Sequence, residues 1–237
     1  MEEKKRIPFT SSMSRWERAA ALGYIPVHVY LLPWLLVSFY EERDLPLSAV
    51  TANAVCYVVA ALVLFGCLRR FFRREFDALC DYGPGVLLEV AKSYGILLLC
   101  NMAIGVALIF IGQKDNPNNA AIFSLAGEDL GMTTAVAVFL APIAEEAMFR
   151  GGVFGLLRRY SRLAAKAASM LLFSVYHIWG YAVSDPTAWL YLLQYLPASF
   201  LLARIYEKTN TLWASVFLHM TVNGVSMMAI STLGKLL

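Results

Sequence analysis

Six residues in three short stretches have the types and the spacing for acid–base chemistry. They are Glu145, Glu146 and Arg150 in "EEAMFR", His177 in "FSVYH", and His219 with Asn223 in "HMTVN". A carboxylate acting with an imidazole can orient a water molecule and take its proton. A second imidazole and an amide N–H can donate hydrogen bonds to the oxyanion that forms on a scissile carbonyl. These are the parts needed to hydrolyse a peptide bond without a nucleophile from the protein. Ser174 and Ser215 precede His177 and His219 by three and four residues and could in principle be nucleophiles. A serine inside a membrane helix more often satisfies a backbone carbonyl, and that is the reading adopted for both.

The elements that carry these groups are apolar. Of 237 residues, 59% are hydrophobic and 16% charged, against about 25% charged in a soluble domain. The expected fold is all-α, a polytopic transmembrane helical bundle of about seven or eight membrane helices. Seven apolar runs are long enough to cross, at roughly 19–40, 48–68, 85–112, 133–157, 163–182, 187–205 and 211–233. The first run is too long for a cleavable signal and lacks a small-residue cleavage site. Without repeats or a soluble portion, the chain reads as a cytoplasmic segment 1–18 followed by one membrane domain, 19–237, with its catalytic core at about 133–233. The loop 113–131 is the place for a short extra helix or re-entrant segment.

Basic residues set the orientation. Lys4, Lys5, Arg6, Arg15 and Arg18 precede the first span; Arg69, Arg70, Arg73 and Arg74 follow the second; Arg158, Arg159, Arg162 and Lys166 follow the fourth; Arg204 and Lys208 follow the sixth. The alternate connections hold Arg43 and Lys114, and Lys235 lies in the tail. That bias places the N-terminus in the cytoplasm and the C-terminus outside. "RRFFRREF", 69–76, reads as a juxtamembrane topology signal, and Glu89 with Lys92 as a snorkelling i,i+3 pair. Cys56, Cys67, Cys80 and Cys100 show no CxxC spacing and read as small apolar residues.

A charge inside a bilayer costs several kcal/mol unless paired or solvated, so the six residues need a reason to be there. Successive helical residues point about 100° apart, which separates Glu145 from Glu146. Glu146 stands i,i+4 from Arg150, the favourable order for an ion pair, whereas Glu145 has no local partner. At about 1.5 Å per residue from the cytoplasmic helix ends, Glu145 lies about 19 Å deep, His177 about 21 Å, His219 about 15 Å and Asn223 about 20 Å. Three helices thus bring polar groups to one depth. His28, in the first span, has no such company and reads as structural. Pro142, and Pro197 with Gln194, should loosen their helices and admit water and an unwound substrate.

At these boxes the sequence resembles the CAAX prenyl protease and bacteriocin-processing (CPBP) family, also called Abi, whose members are polytopic intramembrane endopeptidases. The family pattern EExxxR, FxxxH, HxxxN matches "EEAMFR", "FSVYH" and "HMTVN" in order and spacing, within about residues 135–225. The resemblance implies a glutamic-type peptidase in which Glu145 and His177 activate water, His219 and Asn223 stabilise the oxyanion, and Glu146 and Arg150 organise the site. It implies no cofactor and no metal. The expected partners are the lipid bilayer and a membrane-anchored peptide or protein substrate, lipidated, CAAX-type or leader-peptide, and no nucleic acid. The expected location is a bacterial inner membrane; the absence of an N-x-S/T sequon fits a bacterial origin. Three rival readings stay open: a zinc metalloprotease using the same residues, a proton-coupled transporter, and a non-catalytic immunity scaffold.

Overall fold

The computed structural model describes residues 8–113 and 116–233; Lys4, Lys5, Arg6, Lys114 and Lys235 of the charge pattern lie outside them. Eight helices run through the described residues, and they contain no strand. Helix α1 spans Arg15–Glu41, α2 Ala49–Tyr82, α3 Gly85–Phe110, α4 Pro117–Glu128, α5 Leu130–Arg158, α6 Arg162–Ala182, α7 Pro186–Thr209 and α8 Leu212–Leu233. All but α4 and α6 are long and apolar enough to cross a bilayer, so the protein is an integral membrane protein. The expected span 163–182 forms as α6, but Lys166, His177 and its serines and tyrosines keep it below the hydropathy of a span. The short helix expected in the loop 113–131 is α4.

The ends of these helices are written in the sequence. Ser14 and Glu17 close a reciprocal capping box on α1. Ser48, Asn116, Asp129 and Ser161 each accept a backbone N–H in the first turn of α2, α4, α5 and α6. Asn210, at φ 58°, ends α7 in the left-handed conformation that asparagine tolerates.

Helix α2 differs from expectation by running 14 residues past residue 68, to Tyr82. The arginines end the apolar run without ending the helix, because arginine is a good helix former. On this extension Phe71, Phe72 and Glu75 turn inward, and Arg74 pairs with Glu17 at 3.0 Å. The basic patch is therefore also a packing surface.

Helix α5 is the centre of the bundle and packs against α1, α2, α6, α7 and α8. It is wound wide twice, over Val136–Leu140 and Ala147–Phe154. Gly151 lets the N-terminal segment approach: a Cβ there would collide with Met13 Cε and come 3.3 Å from the Phe71 ring. The segment before α1 is docked, with Thr10 and Ser11 N–H donating to Asn210 Oδ1 at 2.9 Å each. Phe9 sits edge-on to Phe154 and Tyr206, so α5 is held from both sides at the basic end.

Candidate active site

The wide turn at Val136–Leu140 follows from Pro142. Ala141 N–H reaches back five residues to the Val136 carbonyl. In that register the next donor would serve the Ala137 carbonyl, but proline has no N–H. Asn223 Nδ2 fills the gap, donating to Ala137 O at 2.7 Å. One N–H of the carboxamide is thus used to join α8 to α5, and the second remains. The pattern recurs in α1, where Leu32 N–H reaches Val27 O just before Pro33.

Below Pro142 the two glutamates diverge as helix geometry requires. Glu146 and Arg150, both 0% exposed, pair at 3.0 Å. Arg150 also donates to Ser199 Oγ at 2.9 Å and Ser199 O at 3.2 Å, and its guanidinium lies 4.1 Å over the Phe173 ring. Glu146 takes a hydrogen bond from Ser215 Oγ at 2.5 Å on Oε2 and faces His219 Nδ1 at 2.9 Å on Oε1. Ser215 therefore braces a carboxylate, where a backbone carbonyl was the expected main partner; its hydroxyl also lies 3.1 Å from Leu202 O. A pair this deep is tolerated because both Glu146 oxygens and both terminal nitrogens of Arg150 have partners, while Arg150 Nε is buried without one.

Glu145 points the other way, into a cavity of about 1050 Å³ that His177, His219 and Asn223 also line. Its Oε1 accepts from Tyr57 OH at 2.7 Å, and Tyr176 OH in turn lies 3.0 Å from the Tyr57 oxygen. Its Oε2 is buried with no hydrogen-bond partner, 3.7 Å from His177 Nε2 and 3.8 Å from His219 Nε2. His177 Nδ1 lies 2.9 Å from the Phe173 carbonyl, which can only accept. The proton of a neutral ring therefore sits on Nδ1, and Nε2 presents a lone pair to the cavity. The same reasoning at Glu146 puts a proton on His219 Nδ1, so His219 Nε2 donates only when the ring carries both protons. Stacking against Tyr195 at 4.7 Å fixes the His177 ring.

A water between Glu145 Oε2 and either imidazole nitrogen can lie about 2.8 Å from both, a normal hydrogen-bond distance. Donor atoms of a tetrahedral zinc stand about 3.3 Å apart, closer than Glu145 Oε2 stands to either imidazole nitrogen. Among the described residues no three His, Cys, Asp or Glu side chains are grouped to hold a metal ion.

The structure thus gathers Glu145, His177 and His219, puts Asn223 on the same wall, and places Glu146 and Arg150 behind. Ser174 is buried with its hydroxyl unpartnered. His28, expected to stand alone, lines the cavity 4.9 Å from the Tyr57 ring and 6.3 Å from Tyr176. Gln194 lines it too and accepts from Asn116 Nδ2 at 2.6 Å. Reading by boxes and depth missed Tyr57, Tyr176 and Ser199. Tyr57 is only eight residues into its helix, about 12 Å, so a depth count does not find it when helices tilt. Ser215 had a signal, its i,i+4 relation to His219 on one helix face.

Residues 128–225, which hold all three boxes, match the family described as Type II CAAX prenyl endopeptidase Rce1-like. No curated protein and no solved structure matches. That stretch, in a chain with six apolar membrane-length helices, is similar to the Rce1-like family, one of membrane-embedded, CAAX-type proteases.

Proposed function

We propose that this protein is an intramembrane endopeptidase that hydrolyses a peptide bond of a membrane-associated substrate, lipidated CAAX-type or leader-peptide, by a glutamate-activated water. The observation that carries the reading is Glu145 Oε2, buried and unpartnered, facing two imidazole nitrogens across one water's width. Water held there donates one hydrogen to Glu145 Oε2 and one to His177 Nε2. As its oxygen bonds to the scissile carbonyl carbon, Glu145 takes the proton. The oxyanion is met by the second Asn223 N–H and by His219, whose Nε2 faces the same cavity. Collapse of the intermediate breaks the C–N bond, and the proton on Glu145 passes to the departing amine. Tyr57 holds Glu145 in place from Oε1.

The basic residues favour a cytoplasmic N-terminus, and the absence of an N-x-S/T sequon favours a bacterial inner membrane. We assign residues 1–18 to the cytoplasmic segment and its entry into α1, and 133–233 to the catalytic core. The test compares membrane-associated peptides, by mass spectrometry, from cells carrying the wild type and cells carrying Glu145→Gln, His177→Ala or His219→Ala. Each variant should lose cleavage by roughly 100-fold or more at unchanged expression and helicity; full activity in all three contradicts the reading. Activity should survive exhaustive chelation, and its loss, with recovery on adding zinc, would favour the metalloprotease instead.

A further inference from the structure

We infer that the catalytic cavity opens away from the cytoplasm, and that the substrate is an extended, uncharged stretch of about six residues on the outer side of a membrane-anchored polypeptide. The inference rests on the proteolytic reading for what the cavity does, but its sidedness stands on separate observations. The lining of α1, α2 and α5 comes from the part of each helix remote from its basic end and reaches no deeper than its middle, and α8 contributes residues out to Ile230, whereas Leu202 of α7 and Leu218 and His219 of α8 stand nearer the basic end. Helix α2 contributes only Ala52, Asn53, Cys56 and Tyr57 from its first turns, and α3 contributes Leu97 and Asn101 from its middle. Helix α4, in the connection that should lie outside, forms part of the wall through residues such as Asn119 and Ile122. At the opposite end stand Arg158, Arg162 and Lys166, all on Glu207, with Arg74 on Glu17 and Lys208 on Glu89. If basic ends face the cytoplasm, the mouth faces away from it.

The lining describes the occupant. From mouth to Glu145 it offers Asn53, Asn101, Asn116, Asn118, Asn119 and Gln194, while apolar residues of all the surrounding helices complete its wall. Carboxamides donate and accept without net charge, which suits the peptide groups of an unwound chain. Asn101 Oδ1 is buried with no partner, an acceptor left for a substrate N–H. Glu145 is fifteen residues into α5, about 22 Å by helical rise; at about 3.3 Å per residue, an extended chain covers that distance in six to seven residues.

The test is accessibility in a background with Cys56, Cys67, Cys80 and Cys100 replaced by alanine. Asn119→Cys at the mouth and Arg159→Cys at the basic end are labelled with a membrane-impermeant maleimide, on intact cells and on inside-out vesicles. We expect Asn119→Cys to react at least tenfold faster on intact cells and Arg159→Cys at least tenfold faster on inside-out vesicles. The reverse pattern, both positions reacting from one side, or Asn119→Cys reacting from neither side, overturns the inference. New peptide termini that depend on Glu145 are then mapped in the same cells, and they should fall on non-cytoplasmic segments next to a membrane anchor. Termini on cytoplasmic segments overturn the substrate assignment. Absence of Glu145-dependent termini, with labelling as expected, removes the proteolytic reading and the substrate while leaving the sidedness standing.

Discussion

At the scale of single residues, the site is a pair of adjacent carboxylates with opposite surroundings. Glu146 is saturated by Arg150, Ser215 and His219, while Glu145 keeps one oxygen free. Removing Arg150 strands Glu146 and unties Ser199. Breaking a buried pair from one side costs about 3–5 kcal/mol, so Arg150→Ala should lower the melting temperature of the detergent-purified protein clearly; an unchanged melt would contradict the bracing role. Tyr57 acts on Glu145 directly. Tyr57→Phe leaves the ring in place and removes one hydrogen bond to a charged group, worth roughly 1.5–3 kcal/mol. Cleavage should fall about tenfold or more, less than in Glu145→Gln, with a lowered melting temperature. Activity equal to wild type would show that Glu145 needs no such anchor.

At the scale of elements, proline and asparagine act together across two helices. Pro142 withholds the N–H that Ala137 O would take, and Asn223 supplies one from α8. Alanine at 142 would bring a competing donor on the same helix and free the carboxamide to rotate. Pro142→Ala should therefore cut cleavage about tenfold while leaving the melt unchanged or raised, since a proline inside a helix costs about 3 kcal/mol. A variant with full activity would separate the wide turn from the site. The 34-residue α2 shows a related point. At about 51 Å it exceeds a hydrocarbon core of about 30 Å, and its arginine-bearing end packs against the N-terminal segment and α8 through Phe71, Glu75 and Phe72.

At the scale of the molecule, the two ends have different tasks. The basic end is tied by Glu207 of α7, which takes Arg158 at 2.7 Å from the end of α5 and Arg162 and Lys166, at 2.8 and 2.9 Å, from the start of α6. The other end is left open by the cavity. Glu207→Gln should cost roughly 2 kcal/mol, charge-assisted hydrogen bonds set against the half-exposed Arg162. The difference in melting from wild type should shrink at high salt, because exposed charges are screened. A salt-independent difference would point to packing instead of charge.

The amino-acid order alone determined the membrane class, the helix caps, the i,i+4 pairing of Glu146 with Arg150 and the common depth of Glu145, His177, His219 and Asn223. Those properties depend on local spacing and on hydropathy, which a linear chain carries in full. Tertiary structure alone decided that Tyr57 meets Glu145, that Asn223 meets Ala137 and that the cavity occupies one half of the bundle. These depend on helix tilt and on which faces meet, and side chains 88 and 86 positions apart leave no periodic trace of the contact they make.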